Sequence, residues 1–144
     1  MIDAKILPLQ RWLLQAPARG LARWVTADQV SGLGFALGAL TVPALALGQF
    51  GLALVLLGLN RVADGLDGAI ARISGPTDRG AFLDIALDFV FYALFPLGFA
   101  VADPGGNALA AAVLIASFVG TGSSFLAFAS IAARRGLTAA DYPG

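Results

Sequence analysis

The sequence predicts an all-helical integral membrane protein. Three observations point there: 58% of the 144 residues are hydrophobic, only 12% are charged, and the charges stand in a few clusters separated by long uncharged runs. So apolar a chain does not read as an ordinary water-soluble domain; it suits a lipid solvent. The formal net charge of zero says less than the positions of the charges.

Residues 1 to 24 mix Ile2, Ile6, Leu9, Trp12 and Leu13 with Lys5, Arg11, Arg19 and Arg23, which predicts an interfacial amphipathic segment on the membrane surface. A solvated N-terminal extension is the alternative, because Pro8 and Pro17 interrupt the helical pattern. A cleaved signal peptide fits less well, since the basic residues are scattered and no compact apolar core follows them. From Gln29 to Asn60 no residue is charged, a run too long for one comfortable span, and Gly48-Gln49-Phe50-Gly51 offers a turn within it. One helix is therefore expected over 29 to 47 and a second over 51 to 74. A third is expected over 79 to 102, ended by Asp103-Pro104-Gly105-Gly106, and a fourth over 107 to 135.

These four spans put Lys5, Arg11, Arg19, Arg23, Arg72, Arg79, Arg134 and Arg135 on one side, and the opposite loops carry no Lys or Arg. The positive-inside rule assigns that side, and the N-terminus, to the cytoplasm. The turn from Ser74 to Asp78 is then cytoplasmic.

The chain has no Cys and no His, and its acidic residues are all Asp. Thiol nucleophiles, disulfides, Ser-His-Asp triads and His/Cys zinc sites are excluded, so any acid, base or metal chemistry rests on Asp. Four of these stand in the second and third helices. Asp64 and Asp67 lie three apart and Asp84 and Asp88 four apart, so each pair shares a helix face. All four fall within roughly 15 Å of the cytoplasmic interface at 1.5 Å rise per residue. Two such faces make an acidic pocket, and carboxylates at that depth must neutralise or bind cations. Oxygen-only ligands favour hard divalent ions such as Mg²⁺ or Mn²⁺, and two ions among four carboxylates suit in-line displacement at phosphorus.

The run Asp64-Gly-Leu-Asp67-Gly68-Ala-Ile-Ala71-Arg72, followed by Gly80, Asp84 and Asp88, resembles the signature of the CDP-alcohol phosphotransferase (CDP-alcohol phosphatidyltransferase) family of integral membrane enzymes. Every fixed position matches, and the stretch between Arg72 and Gly80 is one residue shorter than is common there. The resemblance implies that an acceptor hydroxyl attacks the β-phosphate of a CDP-linked alcohol, usually CDP-diacylglycerol, with CMP leaving. It also implies that Asp64, Asp67, Asp84 and Asp88 bind metal, that Asp88 is the catalytic base, and that Gly68, Ala71 and Arg72 meet the CDP-alcohol. Members are often homodimers and generally have about six spans, so 1 to 144 is expected to be one membrane domain, the N-terminal part of a six-helix bundle. A bacterial inner membrane follows from the family's distribution. Membrane lipids are the expected surroundings, and no nucleic-acid partner is expected.

Other candidates carry two readings. Gly68 and Gly80 serve either close ligand approach or helix packing. Thr26-Ala27-Asp28-Gln29-Val30-Ser31 stands where the family often has Thr-Pro-Asn-x-x-Thr/Ser, with Asp28 either a nucleotide contact or, like Thr26, a helix cap. Arg61, one turn before Asp64, is expected to pair with a site carboxylate or a substrate phosphate. Arg134 and Arg135 bind either a phosphorylated acceptor or anionic headgroups. Gly34 and Gly38, and the Gly120, Gly122, Ser123 and Ser124 group, predict close helix contacts. Phe89, Phe91, Phe95 and Phe99 are core or lipid-facing. From other functional classes, a divalent-cation or proton transporter and a non-catalytic CDP-lipid-binding module remain alternatives.

Overall fold

Thr26 starts the first long helix through a reciprocal cap. Its hydroxyl oxygen accepts from the Gln29 N–H at 3.3 Å, and the Gln29 side-chain oxygen accepts from the Thr26 N–H at 3.0 Å, which satisfies two orphan donors of the helix end. The structure, a computed structural model, describes residues 14–137. Most of the expected interfacial segment, 1 to 13, lies outside the described residues; within them, α1 covers 14–21. There follow α2 (Ala27–Ala39), α3 (Thr41–Ala46), α4 (Phe50–Ser74), α5 (Asp78–Ala102) and α6 (Pro104–Arg134).

Several boundaries differ from expectation, three of them with a clear local cause. The helix expected over 29 to 47 is broken at Leu40 into α2 and α3. Pro43 explains this: it has no N–H to offer and its ring clashes with the carbonyl one turn earlier. The Thr41 hydroxyl donates instead to the Gly38 carbonyl at 2.6 Å. The last helix starts at Pro104 rather than 107, because Asp103 is its N-cap and Pro occupies the first turn, where a missing N–H costs nothing. And α5 begins at Asp78, with the Thr77 hydroxyl accepting from the Gly80 N–H at 3.0 Å.

Segments Ala27–Ala46, Asp78–Ala102 and Pro104–Arg134 are long and apolar enough to cross a membrane. The second expected span, α4, is not among them: it has the same 25-residue length as α5, but Arg61, Asp64, Asp67 and Arg72 make it less apolar. Large apolar side chains such as Leu54, Leu109 and Val119 are exposed on the outside, as befits helices in contact with lipid tails. The fold is that of an all-α integral membrane protein.

Packing is uneven in a way that shapes the site. α2 lies along α4 and also against α5, and α3 touches both α4 and α5, whereas the backbones of α4 and α5 hardly approach each other and meet through side chains. The expected hairpin of facing helices is thus held open by a wedge. The wedge fits because its glycines seat it: a Cβ on Gly34 would lie 2.8 Å from the Ala63 Cβ, and one on Gly38 2.8 Å from the Phe91 ring. Ala18, Val30, Ala63, Ala69 and Ile70 form one core cluster. Ala44, Leu45, Ala53 and Leu56, with Phe95 and Phe99 packed on them, form another. α6 packs along α5, with Gly122 under the Phe89 ring.

Candidate metal centre

Asp64 and Asp67 leave α4 on one face and meet Asp84 from α5 across the gap that the wedge holds open. One carboxylate oxygen from each of the three lies within 4.8 Å of the others. Adjacent oxygens around Mg²⁺ stand about 3 Å apart and opposite ones about 4.2 Å, so side-chain rotations that draw the three carboxylates together would bring them onto one ion. The donors are all oxygen, and the cluster grades from buried Asp67 through Asp64 to exposed Asp84. The residues therefore fit a hard divalent ion. The Ser31 hydroxyl, from α2, donates to Asp67 at 2.5 Å, the outer-shell contact that orients a ligating carboxylate.

Asp88 stands apart from this trio. Its carboxylate accepts from the Arg61 guanidinium at 3.0 Å and from the Tyr92 hydroxyl at 3.4 Å. Arg61 also lies 3.8 Å from Asp64. Its Nε donates to Asn60 at 2.9 Å, and the Asn60 amide donates to the Gly34 carbonyl at 2.9 Å. Its guanidinium carbon is 5.2 Å from the Phe91 ring centre and 5.8 Å from that of Tyr92, within cation–π range. The expectation that Arg61 pairs with a site carboxylate is met twice over.

Two spaces meet at the trio. A cavity of about 20 Å³ lies among Asp64, Asp67, Asp84 and Asp88, room for a water-sized species. A cleft of about 720 Å³ opens beside it, also lined by Asp67 and Asp84 and walled by Asp28, Gly68, Ala71 and Gly80. That volume is in the range of cofactor sites.

Within the cleft, the two readings of the glycines separate. Among the described residues, a Cβ on Gly68 would meet the Arg72 guanidinium alone, at 3.5 Å, so no described helix packs there and the space belongs to the cleft. Gly80 is tighter, its Cβ position lying 3.1 Å from the Thr77 hydroxyl and 3.3 Å from Asp28. Close approach at the hairpin thus comes from these two side chains, not from a neighbouring backbone. Arg72 is exposed and has no ion-pair partner among the described residues. Asp28 does not cap α2. It pairs instead with Arg79 at 3.2 Å, joining the starts of α2 and α5 at the cleft wall.

Asn60, Tyr92 and Arg79 escaped the sequence reading. Asn60 is a polar side chain in the uncharged run next to Arg61, and Tyr92 falls one turn after Asp88; both spacings signal the contacts that form. Arg134, at the end of α6, is remote in sequence from the trio and is not among the residues lining its cavity or cleft.

Comparison with known proteins adds two findings. The family model described as CDP-alcohol phosphatidyltransferase matches residues 24–142. A protein of Escherichia coli (strain K12) described as inner membrane protein YnjF is 50% identical over 145 residues, covering all of this chain and 69% of that protein. No solved structure gives a significant match.

Proposed function

The chain belongs to the CDP-alcohol phosphatidyltransferase family, and from that premise we propose that it transfers a phosphatidyl or related substituted phosphoryl group from a CDP-linked alcohol, such as CDP-diacylglycerol, to an acceptor alcohol, releasing CMP. One observation carries the reading: Asp64, Asp67 and Asp84 converge where a nucleotide-sized cleft ends.

The cleft takes the CDP moiety. Gly68 and Ala71 put nothing larger than a methyl group on their part of the α4 wall, so a flat nucleotide can approach the helix. Arg72, with no ionic partner among the described residues and its guanidinium beside Gly68, would meet a phosphate. Asp64, Asp67 and Asp84 would hold Mg²⁺ or Mn²⁺, two ions if Asp88 joins them, and the metal supplies charge neutralisation at the diphosphate. Asp88 takes the proton of the acceptor hydroxyl as its oxygen bonds to the β-phosphorus. The bond from that phosphorus to the bridging oxygen breaks, and CMP leaves with the electron pair.

The site opens to the cytoplasm in this reading, which rests on the Lys and Arg bias of the sequence. An inner-membrane location is supported by the description of the E. coli relative.

The test is CMP release from CDP-diacylglycerol by the chain in lipid, with Mn²⁺ or Mg²⁺, across a panel of acceptor alcohols. Release that needs metal, Asp88 and one acceptor is expected. Metal-dependent nucleotide binding without release from a folded sample would replace the transferase by a binding module, and Mn²⁺ uptake into vesicles without nucleotide would replace it by a transporter.

A further inference from the structure

Asp88 corresponds to the fourth carboxylate of the motif, yet its oxygens are not grouped with those of Asp64, Asp67 and Asp84. Both are occupied, one by Arg61 and the other by Tyr92. Arg61 does not swing freely on the end of its side chain. It is fixed from three helices, by Asn60 on α4, through Asn60 by the Gly34 carbonyl on α2, and by the Phe91 and Tyr92 rings on α5.

A cation reaching for Asp88 must therefore compete with a charge-assisted hydrogen bond. It must also settle beside a guanidinium that stays positive at any accessible pH. Neither cost falls equally on an ion held by the other three carboxylates, of which only Asp64 lies within ion-pair distance of Arg61, at the longer separation of 3.8 Å.

We propose that Arg61 is a positioning residue that withholds Asp88 from the cation cluster, so that Asp64, Asp67 and Asp84 fill with a divalent ion before Asp88 is released to share one. The proposal rests on the metal-dependent transferase reading and adds an order of events to it. Arg61 acts here through Asp88 and is not itself a ligand. It leaves Asp88 free of metal while the first ion binds, which suits a carboxylate that must later accept a proton.

The test counts ions rather than turnover. The full chain in lipid nanodiscs is titrated with Mn²⁺, without nucleotide, and free Mn²⁺ is read from its electron paramagnetic resonance signal. Wild type should bind in two steps, the second weaker by about tenfold or more, the worth of one hydrogen bond to a charged group. Arg61→Gln should strengthen the second step towards the first, whereas Arg61→Lys, which keeps a charge there, should leave the steps apart. Asp88→Asn should keep the first step and lose the second.

An Arg61→Gln isotherm equal to that of wild type, or one lacking the second step, overturns the proposal and leaves the transferase reading standing. Absence of any Mn²⁺ step in folded wild type overturns both. If Arg61→Gln does not insert, Arg61→Met decides, since it keeps an apolar stem of similar length and removes the charge: a stronger second step supports the proposal, and an unchanged one overturns it.

Discussion

The Ser31 hydroxyl donates to the Asp67 carboxylate, tying α2 to a carboxylate 36 positions later in the chain. The Ala27 carbonyl one turn back lies 3.1 Å from the same hydroxyl, a competing acceptor for its single proton. Ser31→Ala should weaken Mn²⁺ binding or metal-dependent turnover by about tenfold, the low end for an outer-shell contact to a ligating group. An Mn²⁺ titration of the variant checks this; an unchanged affinity would mean that Asp67 is oriented by its own helix alone.

Gly68 and Gly38 should respond in opposite ways to the same methyl group. At Gly68 nothing but the Arg72 guanidinium stands near the new carbon, so Gly68→Ala should stabilise α4 by about 0.5–1 kcal/mol through helix propensity. The same change should weaken CDP binding, and Gly68→Leu should block it. At Gly38 the methyl would meet the Phe91 ring and the Asn60 amide at 2.8 and 2.9 Å, and Gly38→Ala should cost about 1–3 kcal/mol from overpacking. Thermal unfolding in detergent, paired with CDP binding, separates the two.

Added Mn²⁺ should raise the unfolding midpoint of the chain. A ligand at one hundred times its dissociation constant stabilises the state it binds by about 2.7 kcal/mol, and here it would also relieve repulsion among three clustered carboxylates. Asp67→Asn, which neutralises the most buried of them, should lose most of the shift. Chelation should reverse it in wild type.

Thr26 and Asp28 should also differ. Thr26 closes the capping box of α2, so Thr26→Ala should cost about 1 kcal/mol. Asp28 pairs with an Arg79 side chain that is 79% exposed, a kind of contact worth about 0–1 kcal/mol. Asp28→Ala should therefore be the milder change in thermal unfolding, and a larger loss than for Thr26→Ala would show that the pair holds α2 against α5.

Much of the site was legible because its residues recur at helical spacing within two neighbouring segments: Asp64 with Asp67, and Asp84 with Asp88. Spacing places side chains on a face, which is enough to group them by helix. It does not tell which partners a face meets. The separation of Asp88 from the trio depends on Arg61 being pinned by Asn60 and Gly34, a chain of contacts across three helices. Likewise the run from Gln29 to Asn60 revealed its turn through Gly48, but not the break at Leu40. Pro43 was the available signal there, and its consequence is local to one turn. The pairing of Asp28 was hidden for a different reason, since its partner Arg79 stands on another helix and enters the sequence reading only through the Lys and Arg bias.

The wedge formed by α2 and α3 has a consequence for how such a protein changes over time. The distance between the carboxylates of α4 and those of α5 is set by a helix whose contacts with them run largely through Gly34, Gly38 and Ser31. A change of side-chain volume on α2 would widen or narrow the gap without altering any residue that meets phosphate. Substrate choice would then drift through the spacer while the acidic motif stays fixed, and variants selected for a bulkier acceptor should accumulate on the inward face of α2.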